Sequence, residues 1–481
     1  MNFAIVRYLI GWMLGIESIF LLLPALTAVI YGEAELPAYL IAVAISLAGA
    51  ALLCHRKPKN TRFYAREGYV TVALCWLVLA VIGALPFVLS REIPFFIDAL
   101  FETVSGFTTT GATILGDVEA LSHASMLWRC LTHWVGGMGV LVFMLIVLPL
   151  AGGQTIFLMR AESPGPSVSK MSPHMRDTAT ILYAIYFGLT VLQMILLLIG
   201  GMPFFDAICV SLGTAGTGGF GNWNDSIAHY NSAYLQNVIT VFMILFGINF
   251  SAYFLILTRK FRQAFRIEEI RVYLGVIFVF AGLIAFNVRP MFGSLRESFH
   301  HALFQVASII TTTGFSTVDF DQWPTFSRAL LVLLMFIGAC AGSTGGGIKC
   351  SRILLLGKSV KKEMMCLIHP RLVRVNKMDG QRVPHEVMRS INVFVVAYAF
   401  IFILSLLIIS LNCEDLVTCF TSVATTLNNV GPGLSLCGPT CNFDFFPPLS
   451  KCVLIFDMLA GRLELFPMLL LFTPGTWQRN K

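Results

Sequence analysis

Thr108-Thr109-Thr110-Gly111-Ala112 is the stretch that decides the fold. It lies between two largely apolar segments, where a membrane protein rarely places polar residues. A near copy, Thr-Thr-Thr-Gly-Phe, occurs at 311–315, and looser copies occur at 216–220 (Gly-Thr-Gly-Gly-Phe) and 428–432 (Asn-Asn-Val-Gly-Pro). Four short polar loops of this kind, each between apolar segments, predict one pore that is lined four times.

Composition identifies an integral membrane protein. Of 481 residues, 57% are hydrophobic and only 12% are charged, and the mean hydropathy is +0.79. A soluble domain usually has about 25% charged residues. Apolar runs of helical length recur along the chain, which favours spanning helices over a β-barrel. The net charge of +7 comes from basic loops between these runs, so it indicates topology in a lipid bilayer and no nucleic-acid binding.

The four loops recur in a fixed context. In each repeat we expect a long apolar helix, a half-length helix, the glycine loop and a second long helix. Asp98, Asp206, His301 and Thr418 each lie thirteen residues before the glycine of their loop, and this equal spacing supports true repeats. The predicted second long helices are 124–150, 232–258, 327–357 and 450–473.

The pattern predicts an all-α integral membrane protein with four membrane-pore-membrane repeats and about ten spans. Its segments are an N-terminal pair of transmembrane helices (1–67), repeat 1 (68–177), repeat 2 (178–268), repeat 3 with a basic linker (269–389) and repeat 4 (390–481). The apolar run from Phe3 to Ile30 is too long for a signal-peptide core, so we expect a retained helix. Basic residues cluster in the linkers between repeats, which predicts that both termini are cytoplasmic.

The composition of the loops suits cation selection. Irregular backbone is tolerated at membrane depth only where protein covers it or it lines a watery cavity. Rings of backbone carbonyls can replace the hydration shell of a monovalent cation, and glycine permits the positive φ that turns carbonyls inward. Close helix packing is the alternative reason for small residues in spans, but it does not explain a polar triplet at a fixed distance from a half-length helix. The expected filter residues are Thr109, Thr110, Gly111, Thr217, Gly218, Gly219, Thr312, Thr313, Gly314, Asn429, Val430 and Gly431.

These motifs make the chain similar to the TrkH/TrkG membrane subunits of bacterial potassium uptake systems, which are related to the Ktr and plant HKT transporters. His-Trp-Val-Gly-Gly-Met-Gly at 133–139, Ala-Gly-Ser-Thr-Gly-Gly-Gly-Ile-Lys at 341–349 and Gly-Arg-Leu-Glu at 461–464 extend the resemblance over nearly the whole chain. It implies K⁺ as the transported ion with no other cofactor, a homodimer in the bacterial inner membrane, and a cytoplasmic nucleotide-binding partner of the TrkA type. Loops 2 and 4 depart from Thr-Thr-Thr-Gly, so we expect a pseudo-fourfold filter.

Two features below the loops are candidates for a gate. The run Gly342, Ser343, Thr344, Gly345, Gly346 and Gly347 interrupts a predicted helix at its weakest point. It is either a closely packed kink or a movable gate, and the resemblance favours the gate. Arg462 lies in the last span, where a charge is costly. It either faces the pore or pairs with Glu464 or another acid, and the resemblance favours the pore.

Other interpretations are weaker or stay open. The residues do not decide between a channel and an H⁺- or Na⁺-coupled K⁺ symporter with the same fold. Ser343 and His133 are the one pair that a membrane-embedded hydrolase could use, and their spacing does not support it, so we expect no enzyme. Cys437 and Cys441 could form a disulfide if their loop faces an oxidising compartment. The linker 358–389 either sets topology or docks a cytoplasmic partner.

Overall fold

The computed structural model describes residues 1–58, 64–137, 139, 175–371 and 375–478, and these are mostly helical. An N-terminal pair, Phe3–Tyr31 and Leu36–Cys54, comes first. The Ser46 hydroxyl donates to the carbonyl of Leu14 at 2.8 Å, and a Cβ atom on Gly11 would lie 2.6 Å from Cys54 Sγ. The two helices therefore contact each other at both of these levels.

Four repeats follow, each containing one half-length helix that we call short helix 1 to 4. Repeat 1 has Ala65–Ser90, short helix 1 (Phe96–Phe107) and His123–Gly137; repeat 2 has Met175–Ile199, short helix 2 (Phe204–Gly216), Ala233–Phe246 and Phe250–Leu257. Repeat 3 has Glu268–Phe292, short helix 3 (Leu295–Ile310), Thr325–Ile337 and Cys350–Ile368; repeat 4 has His385–Ile409, short helix 4 (Leu416–Leu427), Pro448–Arg462 and Phe466–Leu471.

The remaining elements are small. Two strands, Lys377–Met378 and Gln381–Arg382, form an antiparallel hairpin in the basic linker, with Lys377 opposite Arg382. Short helical turns occur at Ser226–His229, Phe261–Ala264, Phe320–Gln322, Ser435–Cys437 and Pro474–Trp477. The main hydrophobic core joins the N-terminal pair, repeat 1 and repeat 4, and a second cluster centred on repeat 3 includes Val430 and Leu434 of repeat 4.

Six described helices are long and apolar enough to span a bilayer, and a bent pair raises the number to seven. The second long helix is interrupted in repeats 2, 3 and 4. For this reason fewer than the ten predicted helices are continuous over the thickness of a bilayer. The predicted helix 124–150 is described only through Gly137 and at residue 139, and its remainder lies outside the described residues.

The prediction of an unbroken helix over 232–258 is wrong. The chain bends by 93° between Ala233–Phe246 and Phe250–Leu257. Asn249 begins the second helix, since its side chain accepts a hydrogen bond from Ser251 N at 2.8 Å. The freed carbonyl of Gly247 accepts from Cys340 N at 3.1 Å, so the break is satisfied by a loop from repeat 3.

Candidate functional site

All four glycine loops have the same backbone shape. The residue two positions before each glycine has φ between 54° and 58°, and the glycine has φ between 80° and 98°. The first set is Thr109, Thr217, Thr312 and Asn429, and the second is Gly111, Gly219, Gly314 and Gly431. A non-glycine residue in the left-handed region costs roughly 1–2 kcal/mol, and such strain concentrates at functional sites.

Each loop is tied to the end of its own short helix. The amide between the two left-handed residues donates to a carbonyl five residues earlier, at 2.8 to 2.9 Å. The pairs are Thr110 with Ser105, Gly218 with Gly213, Thr313 with Ser308, and Val430 with Thr425. The repeats thus share one local structure although loops 2 and 4 differ in sequence from loops 1 and 3.

The four loops form a closed ring. Each glycine faces the carbonyl oxygen of the middle residue in the next loop, and a Cβ atom on the glycine would lie less than 3.0 Å from that oxygen. In order around the ring, Gly111 faces Gly218, Gly219 faces Thr313, Gly314 faces Val430, and Gly431 faces Thr110. The twelve predicted filter residues are therefore brought together, and all four glycines are needed for the approach.

The ring is a favourable place for a cation. Each short helix ends at its loop, so four helix C-termini meet there. Each C-terminus carries about half a negative elementary charge from the aligned peptide dipoles. The twelve filter residues are all uncharged, so the attraction comes from backbone dipoles and carbonyl oxygens, without a fixed carboxylate that would hold the ion too tightly.

Side chains join neighbouring loops. His133 Nδ1 lies 2.7 Å from the carbonyl oxygen of Gly106, and Phe220 N donates to Nε2 at 3.1 Å. Because Nε2 accepts, the imidazole is neutral with its proton on Nδ1. Both ring nitrogens are occupied by structural bonds, so His133 is not available as the base of a hydrolase. Asn429 Nδ2 donates to Thr110 Oγ1 at 3.0 Å and to the carbonyl of Met458 at 2.9 Å, which joins loop 4 to loop 1.

A buried ion pair stabilises the segment after loop 1 and was not among the predicted site residues. Arg129 Nε donates to Glu102 Oε1 at 2.7 Å, and both side chains are almost fully buried. Glu102 also accepts from the Thr113 hydroxyl at 3.0 Å and from Ile114 N at 3.1 Å. The Arg129 guanidinium lies 4.0 Å above the Phe220 ring. The available signal was a carboxylate in the middle of short helix 1, one turn beyond Asp98.

The proposed gate residues lie against the ring. Residues 338–349 are not helical and connect Thr325–Ile337 to Cys350–Ile368. Gly346 N donates to Thr312 Oγ1 at 2.6 Å, and Gly347 N donates to the carbonyl of Asn428 at 3.0 Å. A Cβ atom on Gly345 would lie 2.8 Å from the carbonyl oxygen of Thr311. This segment, which we call the intramembrane loop, thus contacts loops 3 and 4 directly.

The bend in repeat 2 and the first turn of Glu268–Phe292 also form hydrogen bonds with the intramembrane loop. Phe250 N, at the bend in repeat 2, donates to the carbonyl of Gly342 at 3.0 Å. Glu269 Oε1 accepts from Ala341 N at 2.6 Å and from Ser351 N at 3.0 Å, and its side chain is buried. Glu269 was not predicted as a site residue, because its position in sequence looks like the first turn of an ordinary helix.

Arg462 is bonded to the intramembrane loop. Its two terminal nitrogens donate to the carbonyl of Thr344 at 2.7 Å and to the carbonyl of Gly136 at 2.8 Å. Glu464 pairs with Arg352, so the Arg462–Glu464 pair that the sequence offered as one alternative is not formed here. A second cation, Lys349, donates through Nζ to the carbonyl of Gly345. Two positively charged side chains therefore lie at the loop, Lys349 buried and Arg462 half-buried.

The two cysteines in the loop after short helix 4 are not linked to each other. Cys437 is buried and Cys441 is exposed, and both are free thiols. The disulfide that the sequence left open is not formed here.

Comparison with known proteins places this geometry in a family. The model of the TrkH family, described as a cation transport protein, matches residues 36–478. The chain belongs to the TrkH family. This family consists of transporters rather than enzymes, and its all-α integral membrane fold agrees with the predicted fold class.

Individual relatives cover the whole chain. The Trk system potassium uptake protein TrkH of Salmonella typhimurium is 38% identical over 99% of this chain and 100% of the relative. TrkG of Escherichia coli strain K12 is 33% identical over 98% of each chain. The crystal structure of the potassium transporter TrkH from Vibrio parahaemolyticus superposes with a TM-score of 0.89, at 33% identity, over 99% of this chain and 100% of that one.

Proposed function

We propose that this chain is the K⁺-conducting subunit of a bacterial Trk-type uptake system and that its four loops are the selectivity filter. The observation that carries the proposal is the closed ring, in which each glycine meets the neighbouring loop's carbonyl oxygen. We infer that the ion is K⁺ because the relatives are named as potassium uptake proteins. K⁺ would exchange its hydration shell for backbone carbonyls at the ring.

Replacing one glycine tests the filter. At Gly314, φ is +86° and a Cβ atom would lie 2.5 Å from the carbonyl oxygen of Val430. In liposomes, Gly314→Ser should lower ⁸⁶Rb⁺ uptake or admit Na⁺. Gly188→Ser is the matched control, since no atom lies within 4 Å of a Cβ placed at Gly188. If folded Gly314→Ser protein keeps both Rb⁺ flux and Na⁺ exclusion, the filter assignment is wrong.

We assign gating to the intramembrane loop together with Arg462. The loop contacts the ring through Gly346 and Gly347, and Arg462 fixes it to repeat 1 through Gly136. A conformational change that released these bonds would move the loop away from the ion path. Deleting residues 343–346 should raise Rb⁺ flux; unchanged or lower flux in folded protein would count against a gate.

The mechanism that we favour is a channel, because the ring and the loop suffice for selection and gating. H⁺- or Na⁺-coupled K⁺ symport is the alternative with the same fold. Reversal potentials in planar bilayers separate the two. A reversal potential that follows the K⁺ gradient alone supports a channel, and a shift with the H⁺ or Na⁺ gradient at fixed K⁺ supports symport.

We further propose a homodimer and a cytoplasmic nucleotide-binding partner of the TrkA type. The helix Cys350–Ile368 ends with strongly exposed apolar side chains: Val360 is 60% exposed and Leu367 is 80% exposed. Lys361 and Lys362 lie beside them in sequence. Replacing both lysines with glutamate should weaken partner binding in a pull-down with purified proteins, while light scattering reports whether the dimer persists.

Both termini are proposed to be cytoplasmic in the bacterial inner membrane. Cys441 is exposed and would then lie on the outer side. A membrane-impermeant maleimide should label Cys441 in spheroplasts, and Cys441→Ser should remove that label. Labelling only after membrane disruption would reverse the topology.

A further inference from the structure

The helix Glu268–Phe292 is capped by a residue from a distant part of the chain. Its own N-cap residue, Ile267, makes no side-chain cap bond. The first backbone N–H groups of a helix have no partner inside the helix, so an acceptor from outside must satisfy them. Asp379, 111 positions further along, supplies one, because its Oδ1 accepts from Glu268 N at 2.7 Å. The contact is reciprocal, since Asp379 N donates to Glu268 Oε2 at 3.3 Å.

Asp379 lies at the tip of the hairpin in the basic linker, residues 376–383, which we call the linker hairpin. Asp379 and Gly380 join its two strands with φ values of 51° and 79°. Two positive φ values and an Asp-Gly sequence are typical of the tightest hairpin turns. Val383, at the base of the linker hairpin, is buried in one cluster with Leu355 of the helix that follows the intramembrane loop. The tip that presents Asp379 is therefore well defined, and its base is packed.

The residue after the capped position, Glu269, holds the intramembrane loop. Its Oε1 accepts from Ala341 N within the loop and from Ser351 N just beyond it. Asp379 thus caps the backbone of Glu268, and the next side chain along the helix bonds to the loop on both sides of its glycine run. Because consecutive residues of one helical turn move together, a displacement of the capped end would also displace the Glu269 carboxylate.

We propose that the linker hairpin is a clasp for the gate, in which Asp379 positions Glu269 by capping the first turn of Glu268–Phe292. While the clasp is closed, Glu269 keeps the intramembrane loop against the four-loop ring. An event on the cytoplasmic side that pulls the linker hairpin away uncaps the helix and releases the loop. This inference rests on the gating assigned above to the intramembrane loop, and it adds the residues through which the basic linker acts on that loop. Asp379 is a positioning residue, since it acts through Glu269 and not on the ion.

Removing the cap tests the clasp in full-length protein reconstituted in liposomes. Asp379→Ala deletes the acceptor of Glu268 N and should raise ⁸⁶Rb⁺ flux by about fivefold, the factor that corresponds to the usual energy of a cap. Asp379→Asn keeps an oxygen at the same place and a favoured turn residue, so it should restore flux to near the wild-type value. Gln381→Ala is the matched control, because it changes an exposed side chain of the same hairpin. Unchanged or lower flux in folded Asp379→Ala protein overturns the proposal.

A reversible cross-link separates a clasp from a hairpin that only stabilises the fold. Glu268→Cys combined with Asp379→Cys places two thiols where the two side chains now meet. Oxidation should lower Rb⁺ flux below that of either single variant under the same oxidant, and a reductant should restore it. The wild type, treated in parallel, reports any effect of the native cysteines. If mass spectrometry shows the bond and flux still equals that of the single variants, the proposal is overturned; if the bond does not form, the Asp379→Ala comparison decides.

The deletion of residues 343–346 described above shows whether the clasp or the gate itself has failed. If that deletion raises Rb⁺ flux while neither Asp379→Ala nor the cross-link changes it, the gate stands and the clasp is wrong. If the deletion also leaves flux unchanged, the gating assignment on which the clasp rests is wrong.

Discussion

Removing Glu102 should greatly lower the free energy of unfolding, although the residue is outside the four-loop ring. Glu102→Ala deletes the acceptor of three donors: Arg129 Nε at 2.7 Å, the Thr113 hydroxyl at 3.0 Å and Ile114 N at 3.1 Å. It leaves the Arg129 guanidinium, which is 2% exposed, without its carboxylate. Breaking a buried pair in this way costs about 3–5 kcal/mol. We expect a loss of that size in the free energy of unfolding.

The assay is equilibrium unfolding of purified protein in detergent, followed by tryptophan fluorescence and paired with Rb⁺ uptake. Lys358→Ala is the control, since Lys358 and Glu268 form a pair that is 28% and 33% exposed. Such a surface pair contributes only about 0–1 kcal/mol. The double variant Glu102→Ala with Arg129→Met should cost less than the sum of the single variants. A loss below about 1 kcal/mol for Glu102→Ala, or strict additivity, would refute the reasoning.

Three further predictions concern the proposed gate, the bend in repeat 2 and Asp415. Arg462→Gln should raise Rb⁺ flux about tenfold or more, because it weakens the hydrogen bonds that hold the intramembrane loop in place, and each such bond from a charged group contributes about 1.5–3 kcal/mol. Flux equal to that of the wild type would exclude a gating role for Arg462. Asn249→Ala should lower the free energy of unfolding by about 1 kcal/mol through loss of the cap, measured against Asn249→Ser, which keeps a capping oxygen. Hydrogen bonds from the Thr418 hydroxyl and other donors lower the pKa of Asp415 from 3.8 to about 2. The ionised carboxylate therefore stabilises the fold above pH 3.8, and this stabilisation is lost as pH falls through 2. The melting temperature of wild type should exceed that of Asp415→Asn near neutral pH, and the gap should close at pH 2; a constant gap would contradict this.

The repeats were predictable because three simple signals coincided. Apolar length, the polar triplet and the fixed distance to Gly111, Gly219, Gly314 and Gly431 all belong to local sequence. Local sequence also predicted that a helix would be interrupted near 342–347, although the non-helical segment is longer, from 338 to 349.

What the sequence did not predict depends on contacts between repeats. Asn249 caps a new helix at a break where the carbonyl of Gly247 accepts a hydrogen bond from Cys340 N, nearly a hundred positions further along the chain. Glu269 is a site residue because the intramembrane loop returns to it. Glu17 lies within an apolar helix, and only the packing against repeat 1 shows that it lines a cavity. Periodicity reports which face is buried, not which distant group it meets.

The ring of four glycines is built from one continuous chain, and this affects how selectivity can evolve. In a symmetric homotetramer one codon change alters every position around the axis at once. Here one codon change alters only one of the four loops. The middle residues already differ in this way, with Val430 in loop 4 where the other loops have Thr110, Gly218 and Thr313. If the ring is the proposed filter, an ion there meets three kinds of middle residue, because loops 1 and 3 both have threonine. Substitutions can then adjust its coordination one loop at a time. Gene duplication followed by divergence would give such a filter finer control than symmetry allows.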